Sequence, residues 1–165
     1  MNGTLHAEDG RYVLRFERRL AHPAEKVWTA LTDRAELAHW FPTDIEADLR
    51  PGGKMRFVFR NGEGPTLDGE VLEYDPPCVF AYRWDADVFR WELRPDGNGC
   101  VLVMTQTMNE IGRAARDGAG WHVCLDALEA RLDGREPPPA GRWKQVHSGY
   151  VSRFGPEAAT IGPPA

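Results

Sequence analysis

The sequence predicts an α+β domain in which a curved antiparallel β-sheet of about six to seven strands wraps one long C-terminal helix. Three observations carry this. Segments between Arg11 and Met108 alternate apolar and polar residues, and tight Gly-, Pro- and Asn-rich turns join them, so neighbouring strands run antiparallel. From about Arg113 to Asp133 the apolar spacing switches to a helical period. The sheet needs a cover for its apolar face, and only that helix is long enough to provide one.

Arg11 to Leu20 is the first strand: Tyr12, Leu14 and Phe16 take one parity, and Arg11, Arg15, Glu17 and Arg19 the other. Pro23 suits the first turn of a helix, and Val27, Trp28 and Leu31 form its inner face. Asp33-Arg34-Ala35-Glu36 has capping-box spacing and starts a second short helix that carries Leu37 and Trp40 inward. Phe41-Pro42 ends it. Thr43 to Leu49 is a short strand. Arg50-Pro51-Gly52-Gly53 turns into Lys54 to Arg60, where Met55, Phe57 and Phe59 share a face. Asn61-Gly62 opens a hairpin to Thr66–Tyr74. After Asp75-Pro76-Pro77 come Cys78 to Trp84 and Val88 to Arg94, which place Phe80, Tyr82, Trp84, Phe89, Trp91 and Leu93 inward. Pro95 to Gly99 turns into Cys100–Met108, with Leu102, Met104, Gln106 and Met108 on one parity.

In the long helix Trp121, Cys124, Leu125, Leu128 and Leu132 follow at steps of 3, 1, 3 and 4, one helical stripe. Ala114 and Gly118 extend it backwards with little volume. His122, Asp126, Glu129 and Asp133 form a wet face, and Gly134 stops the helix with Arg131 in its last turn. Residues 1–134 therefore make the domain, 135–141 a Pro-rich linker and 142–154 an extra helix with Trp143, Val146, Tyr150 and Phe154 on one stripe. Residues 155–165 read as a mobile tail.

The chain has 165 residues, enough for one domain with a real core. Its net charge of −5 gives no broad attraction to nucleic acid or anionic membrane. The densest basic pair, Arg18-Arg19, reads as a solvated strand end. Three cysteines with no CxxC point to a reducing compartment. The N-terminus has no apolar signal region, and no apolar run is long enough to span a membrane. A cytoplasmic location is expected.

The inward parities carry a heavy aromatic load, open to two readings: a solid aromatic core, or the lining of an apolar cavity. On the second reading the ligand-binding residues are Trp40, Phe41, Phe57, Phe59, Tyr82, Trp84, Phe89, Trp91, Met104, Gln106, Gly118, Trp121 and Leu125. Gly118 would supply the space, Gln106 and Tyr82 the few polar groups. No metal is expected: His22, His39, His122 and His147 lack ligand spacing, and His122 and Cys124 diverge on a helix. Cys124 has no cation placed to activate it. No GxSxG, P-loop or dinucleotide fingerprint occurs, so neither cofactor nor catalytic residues are assigned. Asp85-Ala86-Asp87 reads as a solvated turn. Glu73, on the parity of Leu67, Gly69 and Val71, is a candidate inward carboxylate with a raised pKa.

The run Pro23 to Asp33 followed by His39-Trp40-Phe41 resembles the opening signature of START-like (SRPBCC) proteins, and more narrowly the family named for the activator of heat shock protein 90 ATPase. Pro51-Gly52-Gly53, Gly69 to Pro77, and Gly120-Trp121 with Leu125 and Leu128 continue the resemblance in order, so it spans roughly Arg11 to Gly134. It implies the helix-grip fold: a curved antiparallel sheet gripping a long helix over a hydrophobic cavity. Many relatives place a His where Gln106 stands, so His-dependent chemistry is not expected. The eukaryotic co-chaperone carries a further N-terminal domain, for which the residues ahead of Arg11 leave no room. The leading expectation is a protein binding a small hydrophobic, aromatic or lipid-like ligand. The alternatives are a cyclase- or hydrolase-type enzyme and a chaperone-accessory or protein-interaction module. Exposed edge strands leave a homodimer open.

Overall fold

The computed structural model describes residues 2–62 and 64–162. Its elements, in order, are β1 (Thr4–Glu8), β2 (Arg11–Leu20), α1 (Ala24–Thr32), α2 (Arg34–Leu37), β3 (Thr43–Ala47), β4 (Lys54–Phe59), β5 (Leu67–Asp75), β6 (Val79–Trp84), β7 (Asp87–Asp96), β8 (Gly99–Met108), α3 (Ala114–Asp133) and α4 (Arg142–Phe154). The strands form one antiparallel sheet of eight in the order β1-β2-β8-β7-β6-β5-β4-β3. The sheet grips α3, and α1 and α2 pack on the same apolar face, with α1 against β7 and α3. A short 3₁₀ turn, Ile111–Arg113, leads into α3.

The strand missing from the sequence reading is β1. Its five residues do alternate, with Leu5 and Ala7 on one parity, but the run is short and only Leu5 is partly buried, so the hydrophobic signal is weak. Its turn is the clearer mark. Asp9 and Gly10 both have positive φ (50° and 77°) and join Glu8 to its partner Arg11, the two-residue hairpin that Asp-Gly favours.

Local signals placed the short helices. Asp33 accepts a hydrogen bond from the Ala35 backbone N–H at 2.8 Å and caps α2. At the other end of the domain Gly134 takes φ 68°, and its N–H closes back onto the last turn of α3. The interior is densely aromatic. Trp40 packs edge-on against Trp91, and its indole N–H donates to the Ala30 carbonyl at 2.9 Å. Phe57 stacks on Trp84 with ring centroids 4.4 Å apart.

Glu73 does not point inward. A β-bulge between Val71 and Glu73 shifts the register by one residue, which sends Glu73 to the outer face and leaves Leu72 exposed. There Glu73 accepts from Arg90 Nη1 at 2.6 Å.

The face of α3 expected to be wet is covered by α4. His122 is buried, and Tyr150 of α4 is almost fully enclosed. The Tyr150 hydroxyl lies 2.8 Å from His122 Nδ1 and accepts from the Gly3 N–H at 2.8 Å. Asp126 pairs with Arg18 at 2.8 Å and with Arg142 of α4. Arg18 is therefore no solvated strand end: it is only 4 % exposed. Pro156–Ala159, within the segment read as a mobile tail, forms a 3₁₀ turn with Ala158 buried, and the Ile161 N–H donates to the Gly112 carbonyl at 3.0 Å. Residues 163–165 of that segment lie outside the described residues.

Candidate functional site

The sheet interior beneath the second half of α3 is filled with side chains. Open space lies instead at one end, a cleft of about 900 Å³ along the N-terminal half of α3. Its sides are the β6–β7 turn, the ends of β4 and β8, one flank of α3 and its leading turn from Arg113 to Cys124, and the start of α4. Aromatic rings make the apolar part: Phe59, Trp84, Phe89 and Trp121, with Trp143 facing them from α4.

The polar end is built around Gln106. β8 alternates inward Leu102, Met104, Gln106 and Met108, so the amide arrives in the interior by parity alone. Its Oε1 accepts from the Trp121 indole N–H at 3.0 Å, which assigns its NH₂ group to the opposite side. There Nε2 donates to Asp87 Oδ2 at 2.9 Å and to Asp117 Oδ2 at 3.0 Å. Arg113 Nη2 lies 2.8 Å from both oxygens of Asp87. Arg116 Nε donates to Asp117 Oδ1 at 3.1 Å. Burial alone would lower the Arg113 pKa, but the hydrogen bonds and charge of Asp87, with the charge of Asp117, outweigh it and hold the pKa above its ordinary value. Two cations and two anions thus cancel around one amide whose donors and acceptor are all engaged.

Of the residues read from sequence as cavity lining, Phe59, Trp84, Phe89, Gln106 and Trp121 stand at the cleft. Trp40, Phe41, Phe57, Tyr82, Trp91, Met104 and Leu125 lie in the buried core behind it. Phe41 braces Trp121 from there, with centroids 5.4 Å apart. Tyr82 offers the cleft no hydroxyl. Burial pushes its pKa well above the ordinary value, and its oxygen accepts from Trp91 Nε1 at 3.0 Å. Gly118 faces away: a Cβ there would meet Tyr150 and Phe154 of α4 at 3.4 Å and Leu14 at 3.6 Å. The glycine that opens the cleft is Gly120, where a Cβ would meet nothing within 4 Å.

Sequence reasoning missed Asp87, Arg113, Arg116, Asp117 and Gly120. Asp87 belongs to the turn read as solvated, yet it is 7 % exposed. A two-residue loop, Asp85-Ala86, pairs Trp84 with Asp87, and that register turns Asp87 inward. One signal was available: Arg113, Asp117, Gly120, Trp121 and Cys124 recur at helical steps of 4, 3, 1 and 3. Cys124 sits on this row, and burial pushes its thiol up to about 12.

A curved antiparallel sheet gripping one long helix, with a cleft beside that helix's first turns, defines a helix-grip protein. The chain belongs to the family described as activator of Hsp90 ATPase homolog 1-like protein, whose model matches residues 21–133. Several solved structures share the fold. The crystal structure of CalU16 from Micromonospora echinospora is 20 % identical and covers 97 % of this chain and 96 % of its own, with a TM-score of 0.74. A conserved protein of unknown function from Enterococcus faecalis is 21 % identical over 92 % of this chain and 90 % of its own, with a TM-score of 0.76. A protein from Bordetella parapertussis is 26 % identical over 93 % of this chain and 91 % of its own, with a TM-score of 0.71. A comparison with the curated proteins finds no match.

Proposed function

We propose that this protein binds a small hydrophobic ligand in the cleft beside the N-terminal half of α3. One observation carries the reading: the cleft pairs an aromatic floor with a polar end whose charges already neutralise one another. The rings favour apolar surface in the occupant. Its volume of about 900 Å³ lies in the range of roughly 300–1,000 Å³ common for small-molecule sites. Family membership supports the same reading, since these proteins typically bind hydrophobic ligands.

The test is a thermal-shift and native mass-spectrometry screen of polyaromatic compounds and lipids. Ligand at a hundredfold excess over Kd stabilises by about 2.7 kcal/mol, a rise of roughly 5–10 °C for a chain of this size. Trp121→Ala should weaken each hit. A panel in which nothing binds overturns the reading.

The convergence of Asp87, Gln106 and Asp117 favours a second reading, an enzyme of the cyclase or hydrolase kind. Both carboxylates are engaged by arginines, which suits a fixed wall better than proton transfer. Turnover of a bound compound that disappears in Asp117→Asn would decide for the enzyme.

A further inference from the structure

We infer that the cleft is selective for a planar aromatic carboxylate, its ring seated on Gly120 and its carboxylate held by Arg116. The inference rests on the cleft being a ligand site. Two independent features of α3 point to it.

The first is the gap at Gly120. A glycine in a helix interior costs about 1 kcal/mol relative to alanine, so its place here calls for a reason. Apart from its chain neighbours and the backbone of its own helix, nothing lies within 4 Å of where its Cβ would be, although the position borders the cleft. The missing side chain leaves open space beside Trp121 in the cleft that Trp143 also lines. A flat ring can rest there, and a branched chain would make poorer use of it.

The second is the guanidinium one turn away. Residues four apart on a helix stand side by side, so Arg116 adjoins whatever lies on Gly120. Its Nε donates to Asp117 Oδ1 at 3.1 Å. That bond aims the group and leaves its Nη1–Nη2 edge without a hydrogen bond among the described residues. A free guanidinium edge is the fork that matches a planar carboxylate. The side chain is about a quarter exposed, at 27 %, so the pairing would be only partly screened by water. The N-terminal field of α3 favours negative charge at the same place. Lys144 adds a second cation from the α4 side. Asp85 and Glu110 line the turn side, Asp87 is paired with Arg113 and Asp117 of α3 with Arg116 Nε, so the open edge of Arg116 and Lys144 are the cations left to meet an anion among the described residues.

The experiment compares 2-naphthoate with its uncharged analogue 2-naphthamide by isothermal titration calorimetry, using the full chain, Arg116→Gln and Gly120→Leu. The full chain should bind naphthoate about tenfold more tightly than naphthamide. Arg116→Gln should weaken naphthoate alone and bring the two together. Gly120→Leu should weaken both at least tenfold while circular dichroism stays unchanged. Equal or tighter binding of naphthamide, or a preference for naphthoate that survives Arg116→Gln, overturns the carboxylate assignment and leaves the cleft as a ligand site. Undiminished binding of both compounds to Gly120→Leu overturns the seat. Failure of both compounds to bind the full chain overturns the selectivity, and the wider hydrophobic panel then decides whether the cleft binds ligands at all.

Discussion

Gly118 and Gly120 are two positions apart on α3, yet leucine at each should have different consequences. At 118 a Cβ already touches Tyr150 and Phe154 at 3.4 Å and Leu14 at 3.6 Å, so three further carbons must displace α4 or β2. Overpacking of this kind costs roughly 1–3 kcal/mol. At 120 the same carbons enter empty cleft, where nothing lies within 4 Å of the Cβ. Leucine gains the same helix preference over glycine at either site, close to 1 kcal/mol, so that gain cancels between the two variants. What remains is the overpacking alone. Gly118→Leu should be less stable than Gly120→Leu by roughly 1–3 kcal/mol, which for a chain of this length is a difference in Tm of about 2–12 °C. Gly120→Ala should exceed the wild type by up to about 1 kcal/mol. Urea and thermal unfolding followed by circular dichroism measure all three. The reasoning is refuted if the two leucine variants melt together, or if Gly120→Leu is the weaker.

Two further outcomes concern the contact between α3 and α4. Tyr150→Phe removes the hydroxyl that serves both the Gly3 N–H and His122 Nδ1, so urea unfolding should register a loss of about 1–3 kcal/mol; a wild-type midpoint would show that water replaces the hydroxyl. Burial, reinforced by the nearby Arg18 and Arg142 charges and opposed by Asp126, holds the His122 pKa at about 4, below its ordinary 6.5. As pH falls through 6.5 the unfolded chain takes up a proton that the folded chain refuses until about 4. Stability is therefore whole above that window and declines within it, by at most about 1.4 kcal/mol per pH unit. His122→Asn should flatten the decline, and an unchanged slope in that variant would assign it to other groups.

Much of the fold was legible because its signals are local. Period-two alternation marked β2, β4, β6, β7 and β8, and Asp33 and Gly134 marked helix ends through the hydrogen bonds they go on to make. Failures came where the signal was backbone geometry. The bulge near Leu72 moves Glu73 to the other face, and no side-chain pattern announces a one-residue register shift. β1 buries only part of Leu5 and is otherwise exposed, because an edge strand can be held largely by pairing with its neighbour.

The site was harder to read, and the reason lies in α3. An amphipathic stripe assumes one buried face and one wet face. This helix meets three environments: the sheet through Leu125 and Leu128, α4 through Gly118 and His122, and the cleft through Asp117, Gly120 and Trp121. A helix covered on two sides buries polar residues that hydropathy assigns to solvent, and each must then find a partner. His122 finds Tyr150, Asp126 finds Arg18 and Arg142, and Asp117 finds Gln106 and Arg116. Small residues are equally ambiguous. Gly118 and Gly120 look alike in sequence, but one is filled by α4 and the other by nothing in the protein. Position on the helix, about 200° apart for two residues, decides between packing and vacancy. The docking of α4 thus sets the cleft's location: by closing over Gly118 it leaves the opposite flank of α3, with Gly120 and its row of charged residues, as the open side.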